Sequence, residues 1–140
     1  MITRTFTGDW ETVGRHARPI RFEVFVVEQG VPEELEWDDM DAMSIHAIAF
    51  DGNGKALGTG RLLPDGHLGR MAVRKAARRR GVGAALLHAL IQCARKRGDK
   101  TIVLHAQTHA EQFYLKHGFR REGAEFMEAG IPHVAMRLDL

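Results

Sequence analysis

Apolar and polar positions along the chain set out most of the elements before any chemistry is considered. Residues 2–7 alternate weakly and predict a first strand. Residues 9–29 are ambiguous. Asp9 suits a helix cap, and Pro19 interrupts one long helix. Pro19 can instead open a second helix carrying Ile20, Phe22, Phe25 and Val26. The β-branched Val24, Val26 and Val27 argue mildly for strand, but helix is the better reading. Gly30-Val31-Pro32 ends it, and an acidic loop or short helix follows.

Residues 45–50, 56–63 and 67–73 read as three antiparallel strands, joined by Asp51-Gly52-Asn53-Gly54 and by Asp65-Gly66. From Gly83 to Arg97 the period becomes helical. Val82, Leu86, Leu90 and Cys93 share one face, Arg95-Lys96-Arg97 fills the last turn, and Gly98 closes it. Residues 101–107 form the next strand, so strand, helix and strand predict a parallel crossover. A shorter helix over 109–117 stops at Gly118. A final hairpin, 119–128 and 133–139, turns through Gly130-Ile131-Pro132.

Composition narrows the class. The 140 residues suit a single domain spanning 1–140, 44% hydrophobic and 27% charged. A formal charge of +2 is too small for a nucleic-acid coat. The charge is segregated, however. Arg74, Lys75, Arg78, Arg79 and Arg80 lie together without an acid. Glu33, Glu34, Glu36, Asp38, Asp39 and Asp41 lie together without a base. This predicts an anion site and a cation-friendly site. Cys93 stands alone, so no intramolecular disulfide forms. No apolar run approaches a membrane span and the first residues lack a signal-peptide core, which predicts a soluble cytoplasmic protein with no membrane partner.

The run Arg78-Arg79-Arg80-Gly81-Val82-Gly83-Ala84 places positive charge and two glycines at a helix start. A helix start offers unpartnered N–H groups and partial positive charge, and glycine lets them approach an anion. The spacing is wrong for a dinucleotide fingerprint, and a P-loop would need Gly-Lys-Ser/Thr. Single-strand nucleic-acid binding would need aromatics, and this segment has none. A solvated basic turn remains as the plain alternative.

With Met71-Ala72-Val73 before it, the run resembles the acyl-CoA pyrophosphate loop of the GCN5-related N-acetyltransferase (GNAT) superfamily. Ala110-Glu111-Gln112-Phe113-Tyr114-Leu115-Lys116-His117-Gly118-Phe119 resembles a second signature of the same superfamily. Val24-Phe25-x-x-Glu28-Gln29-x-Val31-Pro32, the acids after it, His46 and Leu104-His105-Ala106-Gln107 resemble an ElaA/YjcF-like subgroup.

The resemblance implies an α/β GNAT fold: a mixed, mostly antiparallel sheet flanked by helices, with one β-α-β crossover. It implies acetyl-CoA as co-substrate, bound by Met71, Ala72, Val73 and residues Arg78, Arg79, Arg80, Gly81, Val82, Gly83 and Ala84. The Val73 N–H would face the thioester, and Arg74, Lys75 or Arg79 would meet the 3′-phosphate. Transfer would pass directly, in a ternary complex, to a primary amine on a small molecule or peptide. A homodimer is compatible with this reading, and nucleic acid is not a partner.

Tyr114, the chain's single tyrosine, falls at the position of the acid that protonates the leaving sulfur. Packing of the helix is its plain alternative. Glu28, Asp41 and His105 are candidate bases, with Glu28 ranked first for its place in the subgroup pattern. Each has an ordinary structural reading beside it: helix-end carboxylate, turn cap and strand hydrogen bond. The acidic segment is expected to attract a cationic amine. His105 and His109 lack the His-Glu-x-x-His pattern, and Asp39-x-Asp41 lacks the glycine of a calcium loop, so no metal is expected. A different class of function, a non-catalytic CoA sensor or nucleic-acid module using the basic turn, is separated by thiol release and salt dependence.

Overall fold

The computed structural model describes residues 2–140, with side chains described from Arg4 onward. Strand β1 (Ile2–Gly8) leads to helix α1 (Trp10–Arg21), which runs on as a π-helix over Phe22–Glu28. Helix α2 (Glu33–Glu36) and a 3-10 turn (Asp39–Met43) cover the acidic segment. Strands β2 (Ile45–Asp51), β3 (Ala56–Leu62) and β4 (His67–Val73) form the meander. Helix α3 (Val82–Arg97) crosses to β5 (Thr101–Gln107). Helix α4 (Glu111–Lys116) and the hairpin β6 (Arg120–Glu128) and β7 (Ile131–Asp139) complete the chain.

The seven strands lie in the order β1-β2-β3-β4-β5-β7-β6, antiparallel everywhere except between β4 and β5. The expected crossover is therefore present, and the strand read over 2–7 is real.

Two details depart from the sequence reading. Asp9 does cap α1, accepting from the Thr12 N–H at 2.9 Å. Pro19, however, opens no second helix. It sits inside α1 on the exposed face, where water can satisfy the carbonyl its missing N–H leaves free. The turns then widen: the Gln29 N–H donates to the Val24 carbonyl, five residues back. This wide turn sets Ile20, Val24 and Phe25 against Ala72 of β4, and leaves Phe22 exposed rather than in the core.

Helix α3 packs on the other face through Val82, Leu86, Leu87 and Leu90. Gly58 permits the close approach, because a Cβ there would stand 3.0 Å from both Leu86 and Val82. The start of α3 is thereby held against the end of β4. Cys93 packs partly buried on this core.

Candidate active site

The site exists because β4 and β5 part company. They pair only at His67↔Val103 and Leu68↔Leu104. Beyond that point β5 continues on β7 while β4 continues on β3. The splay opens one edge of β4 over residues 69–73 and leaves a cleft of about 990 Å³. Met71, Ala72, Val73 and Arg78 line one wall, with Glu28 of the π-helix. His105, Gln107 and Tyr114 line the opposite side.

Register shows which backbone groups face the cleft. The Arg74 N–H donates to the Leu57 carbonyl at 2.9 Å, and Gly58 stands opposite Val73. Antiparallel pairs alternate between bonded and non-bonded. Val73 is thus in a non-bonded pair, and its N–H and C=O point away from β3, into the cleft. The Val73 carbonyl is met there by the Arg78 Nε at 3.0 Å. The alternation ends just beyond, because the β3–β4 register shifts between Thr59 and Arg61 and Arg70 turns left-handed (φ 50°), a bulge beside the cleft.

The loop into α3 turns through two left-handed residues, Arg79 (φ 64°) and Gly81 (φ 82°). Left-handed backbone is ordinary for glycine and strained for arginine. No side chain caps α3, so its first N–H groups are open to an anion. Val82 is buried, leaving only its backbone available. A Cβ on Gly83 would meet Phe113 at 3.4 Å and Val73 at 4.0 Å, both ordinary contacts, so glycine there keeps the backbone bare rather than relieving a clash. These groups fit a pyrophosphate.

The arginine side chains do something other than expected. Arg78 forms a bidentate pair with Glu28 at 2.6 and 2.7 Å, fastening the loop to the π-helix. Arg74 donates to the Ala56 carbonyl and to Glu23, so it is not directed at a 3′-phosphate. Lys75, Arg79 and Arg80 are exposed. Glu28 correspondingly has its carboxyl pKa lowered by the Arg78 hydrogen bonds. A carboxylate held this way is a poor proton acceptor, which argues against the base role its sequence context suggested.

The acidic segment is also otherwise employed. Glu36 and Asp41 bind the buried Arg21 at 2.7 Å each. Asp38 and Asp41 bind Arg61 at 2.7 and 2.9 Å, and Arg70 reaches Glu36 at 3.2 Å. Arg21 also lies over the rings of Trp10 and Trp37. Three acids thus meet three arginines. Glu36, Asp38 and Asp41 are therefore matched internally and not free to attract a cationic amine, while Glu33, Glu34 and Asp39 stay exposed. Asp41, buried between two guanidiniums, is no base either. His46 donates from Nε2 to the Asp41 carbonyl, and burial lowers its pKa.

Tyr114 is buried, its ring edge-on to Phe113 and Phe119 at 5.0 and 5.7 Å. Burial raises its pKa, so the phenol stays protonated. Gln107 donates to Gln29 at 2.8 Å across the cleft, joining two segments that carry the subgroup resemblance.

A splayed parallel pair, an uncapped Gly81-Val82-Gly83 helix start and a buried tyrosine one strand later decide the relationship, and comparison agrees. Residues 11–140 match the acetyltransferase (GNAT) domain family. The chain belongs to the GNAT acetyltransferase family. Its ElaA/YjcF-like character is equally plain. It is 44% identical over 124 residues to the uncharacterized N-acetyltransferase YjcF of Bacillus subtilis, covering 86% of this chain and 88% of that one. The structure of Escherichia coli ElaA aligns with a TM-score of 0.85 at 28% identity, over 99% of this chain and 100% of that one. An acyl-CoA N-acyltransferase from Pseudomonas aeruginosa aligns with a TM-score of 0.85 at 29% identity, over 99% of both chains. The fold is thus the acyl-CoA N-acyltransferase fold, and family membership supports acyl-CoA-dependent N-acetyl transfer in general.

Sequence reasoning brought Met71, Ala72, Val73, Arg78, Glu28 and Tyr114 to one cleft. It missed Glu128 and His133, which meet His105 on the wall opposite β4. Their only sequence signal was the hairpin register that brings them there. Among the described residues, no group of three or more His, Cys, Asp or Glu side chains is placed to hold a metal ion. No helix among them is long and apolar enough to cross a membrane.

Proposed function

We propose that this protein transfers the acetyl group of acetyl-CoA directly to a primary amine, inside a ternary complex. The observation that carries this reading is the splay of β4 from β5. It turns the Val73 N–H toward the space between the strands, next to the open start of α3.

Bound acetyl-CoA supplies the acetyl group and an easily expelled thiolate. The N–H groups at the start of α3 hold the pyrophosphate. The Val73 N–H donates to the acetyl carbonyl oxygen and stabilises the charge that develops there. Glu28 positions Arg78, and through it the loop, against the Val73 carbonyl. Tyr114 donates its hydroxyl hydrogen to the departing sulfur. A free thiol has a pKa near ~8.5 and a phenol near ~10. Burial widens that gap, so the hydrogen bond matters more than complete loss of the phenolic proton. Cys93, partly buried on the core side of α3, offers no acyl-carrying thiol to the cleft.

A coenzyme A release assay tests this reading. Acetyl-CoA is offered with polyamines, amino sugars, aminoglycosides, or peptides bearing free N-termini and lysines. Saturable, amine-dependent thiol release is expected. Saturable binding of acetyl-CoA with no release for any amine would favour a CoA-sensing module.

A further inference from the structure

The wall opposite β4 carries a carboxylate and two imidazoles, with Glu128 and His105 half-exposed to the cleft. His105 lies directly across from Ala135, and His133 from Gln107, so both imidazoles stand on one face of the sheet. Phe126 pairs with His133, and Glu128 follows two residues later on the same face. The Glu128 carboxylate is 2.9 Å from His105 Nδ1 and 3.8 Å from His133 Nε2. Phe126 lies edge-on to His105 at 5.0 Å and is stacked on His133 at 6.0 Å.

The hydrogen bonds assign the tautomers. An ionised carboxylate only accepts, so in the neutral ring His105 carries its hydrogen on Nδ1. A backbone carbonyl also only accepts, so His133 donates from Nδ1 to the Ile131 carbonyl at 2.7 Å. Both Nε2 atoms are then bare lone pairs. His133 Nε2 and a Glu128 oxygen face each other as two acceptors, too far apart to bond and without a proton between them. The Glu128 carboxylate is partnered by two imidazoles. A group with several N–H donors and a positive charge satisfies such a place. An aromatic ring beside it adds to the attraction.

We propose that Glu128, His105 and His133 form the seat of the acceptor's ammonium group, and that His105 takes its proton. The proposal rests on the acetyltransferase reading for its second half only. The ammonium nitrogen gives one proton to His105 Nε2, and Glu128 holds the ring through Nδ1. The freed lone pair bonds the acetyl carbon, the carbon–sulfur bond breaks, and the sulfur takes the proton that the new amide nitrogen sheds, relayed by the Tyr114 hydroxyl. His105 returns its proton to water. The other charged and titratable groups around His105 are His67 on β4, 6.4 Å away ring to ring and 3.0 Å from Asp65, and Arg70, which is tied to Glu36.

The seat is tested without any acyl donor. Benzylamine is titrated into the full chain while the histidine ring nitrogens are followed by NMR, with benzyl alcohol as the neutral control. Saturable shifts at His105 and His133 are expected with the amine and not with the alcohol. Glu128→Gln keeps an acceptor for Nδ1 but removes the charge, and should weaken the binding about tenfold. Absent shifts, or equal affinity in E128Q, would overturn the seat.

The proton step is read from whichever alkylamine supports thiol release. His105→Gln should lower kcat/KM about 100-fold at pH 7, within the range of general-base effects. The variant then depends on amine already neutral in solution. Its activity should climb about tenfold per pH unit from 7 to 9, since alkylamines titrate near ~10.4, and wild type should climb much less. Equal slopes would remove His105 from the proton path. Thiol release by no amine, together with a Glu128-dependent ammonium shift, would refute the transfer reaction and leave the seat standing.

Discussion

Tyr114→Phe removes one oxygen atom and leaves the ring where it is. The ring contacts with Phe113 and Phe119, at 5.0 and 5.7 Å, do not involve the hydroxyl. Burial alone accounts for the raised pKa, and no hydrogen bond from another described residue offsets it. Tyr114 lines the cleft and its hydroxyl is not among the buried side-chain atoms left without a partner, so its deletion should change stability by no more than about 0.5 kcal/mol. The same hydroxyl should matter during turnover. A hydrogen bond to a charged group contributes about 1.5–3 kcal/mol, which corresponds to roughly 10- to 150-fold in kcat. The two assays are thermal or urea unfolding and steady-state thiol release, with acetyl-CoA affinity measured separately. The expected signature is a protein about as stable, with unchanged acetyl-CoA affinity and a kcat at least tenfold lower. Unchanged kcat would refute the donor role. A large loss of stability would show that the hydroxyl serves the core instead.

Further outcomes follow from the loop and the ion-pair network. Gly83→Ala meets Phe113 and Val73 at ordinary contact distances; unfolding should change little, whereas acetyl-CoA affinity should fall at least tenfold in calorimetry. Glu28→Gln releases Arg78; acetyl-CoA KM should rise several-fold, with no new dependence of kcat on pH, and a steep pH dependence would restore Glu28 as the base. Arg21→Met leaves Glu36 and Asp41 buried without their shared cation; urea unfolding should show a loss of about 3–5 kcal/mol. Asp38 has its pKa lowered to about 2, chiefly by hydrogen bonds from Arg61. A lowered carboxylate stabilises the fold above its unfolded pKa, near ~3.9, and loses that contribution as pH falls toward its folded value. Unfolding curves of wild type should therefore weaken between pH 4 and pH 2, and Asp38→Asn should be flatter across that window.

The elements with local signals were legible in the sequence. Asp51-Gly52-Asn53-Gly54 announced a hairpin, and Gly98 adopts the left-handed cap that its position required. The Gly81–Gly83 loop and Tyr114 stood out because each sits in a motif of neighbouring residues, and both lie beside the splayed β4 edge or in the cleft it opens. What stayed hidden depends on distance. Glu36, Asp38 and Asp41 read as part of a cation-friendly site, because their partners Arg21, Arg61 and Arg70 lie on other elements. The π-helix is set by packing of Val24 and Phe25 on Ala72, which no periodicity announces. Glu28 looked like a free carboxylate until Arg78, 50 residues on, closed upon it. Glu128 and His133 reach His105 only through the β5-β7-β6 register, and a shift of one residue would turn them to the opposite face.

The central claim is transfer of an acetyl group to an amine in the cleft between β4 and β5. Thiol release from acetyl-CoA, measured against amine concentration at fixed protein, tests it most directly. The account predicts release that saturates in both acetyl-CoA and one primary amine, with a new N-acetyl product one acetyl mass heavier than the amine. Tight acetyl-CoA binding with no product from any amine would contradict it.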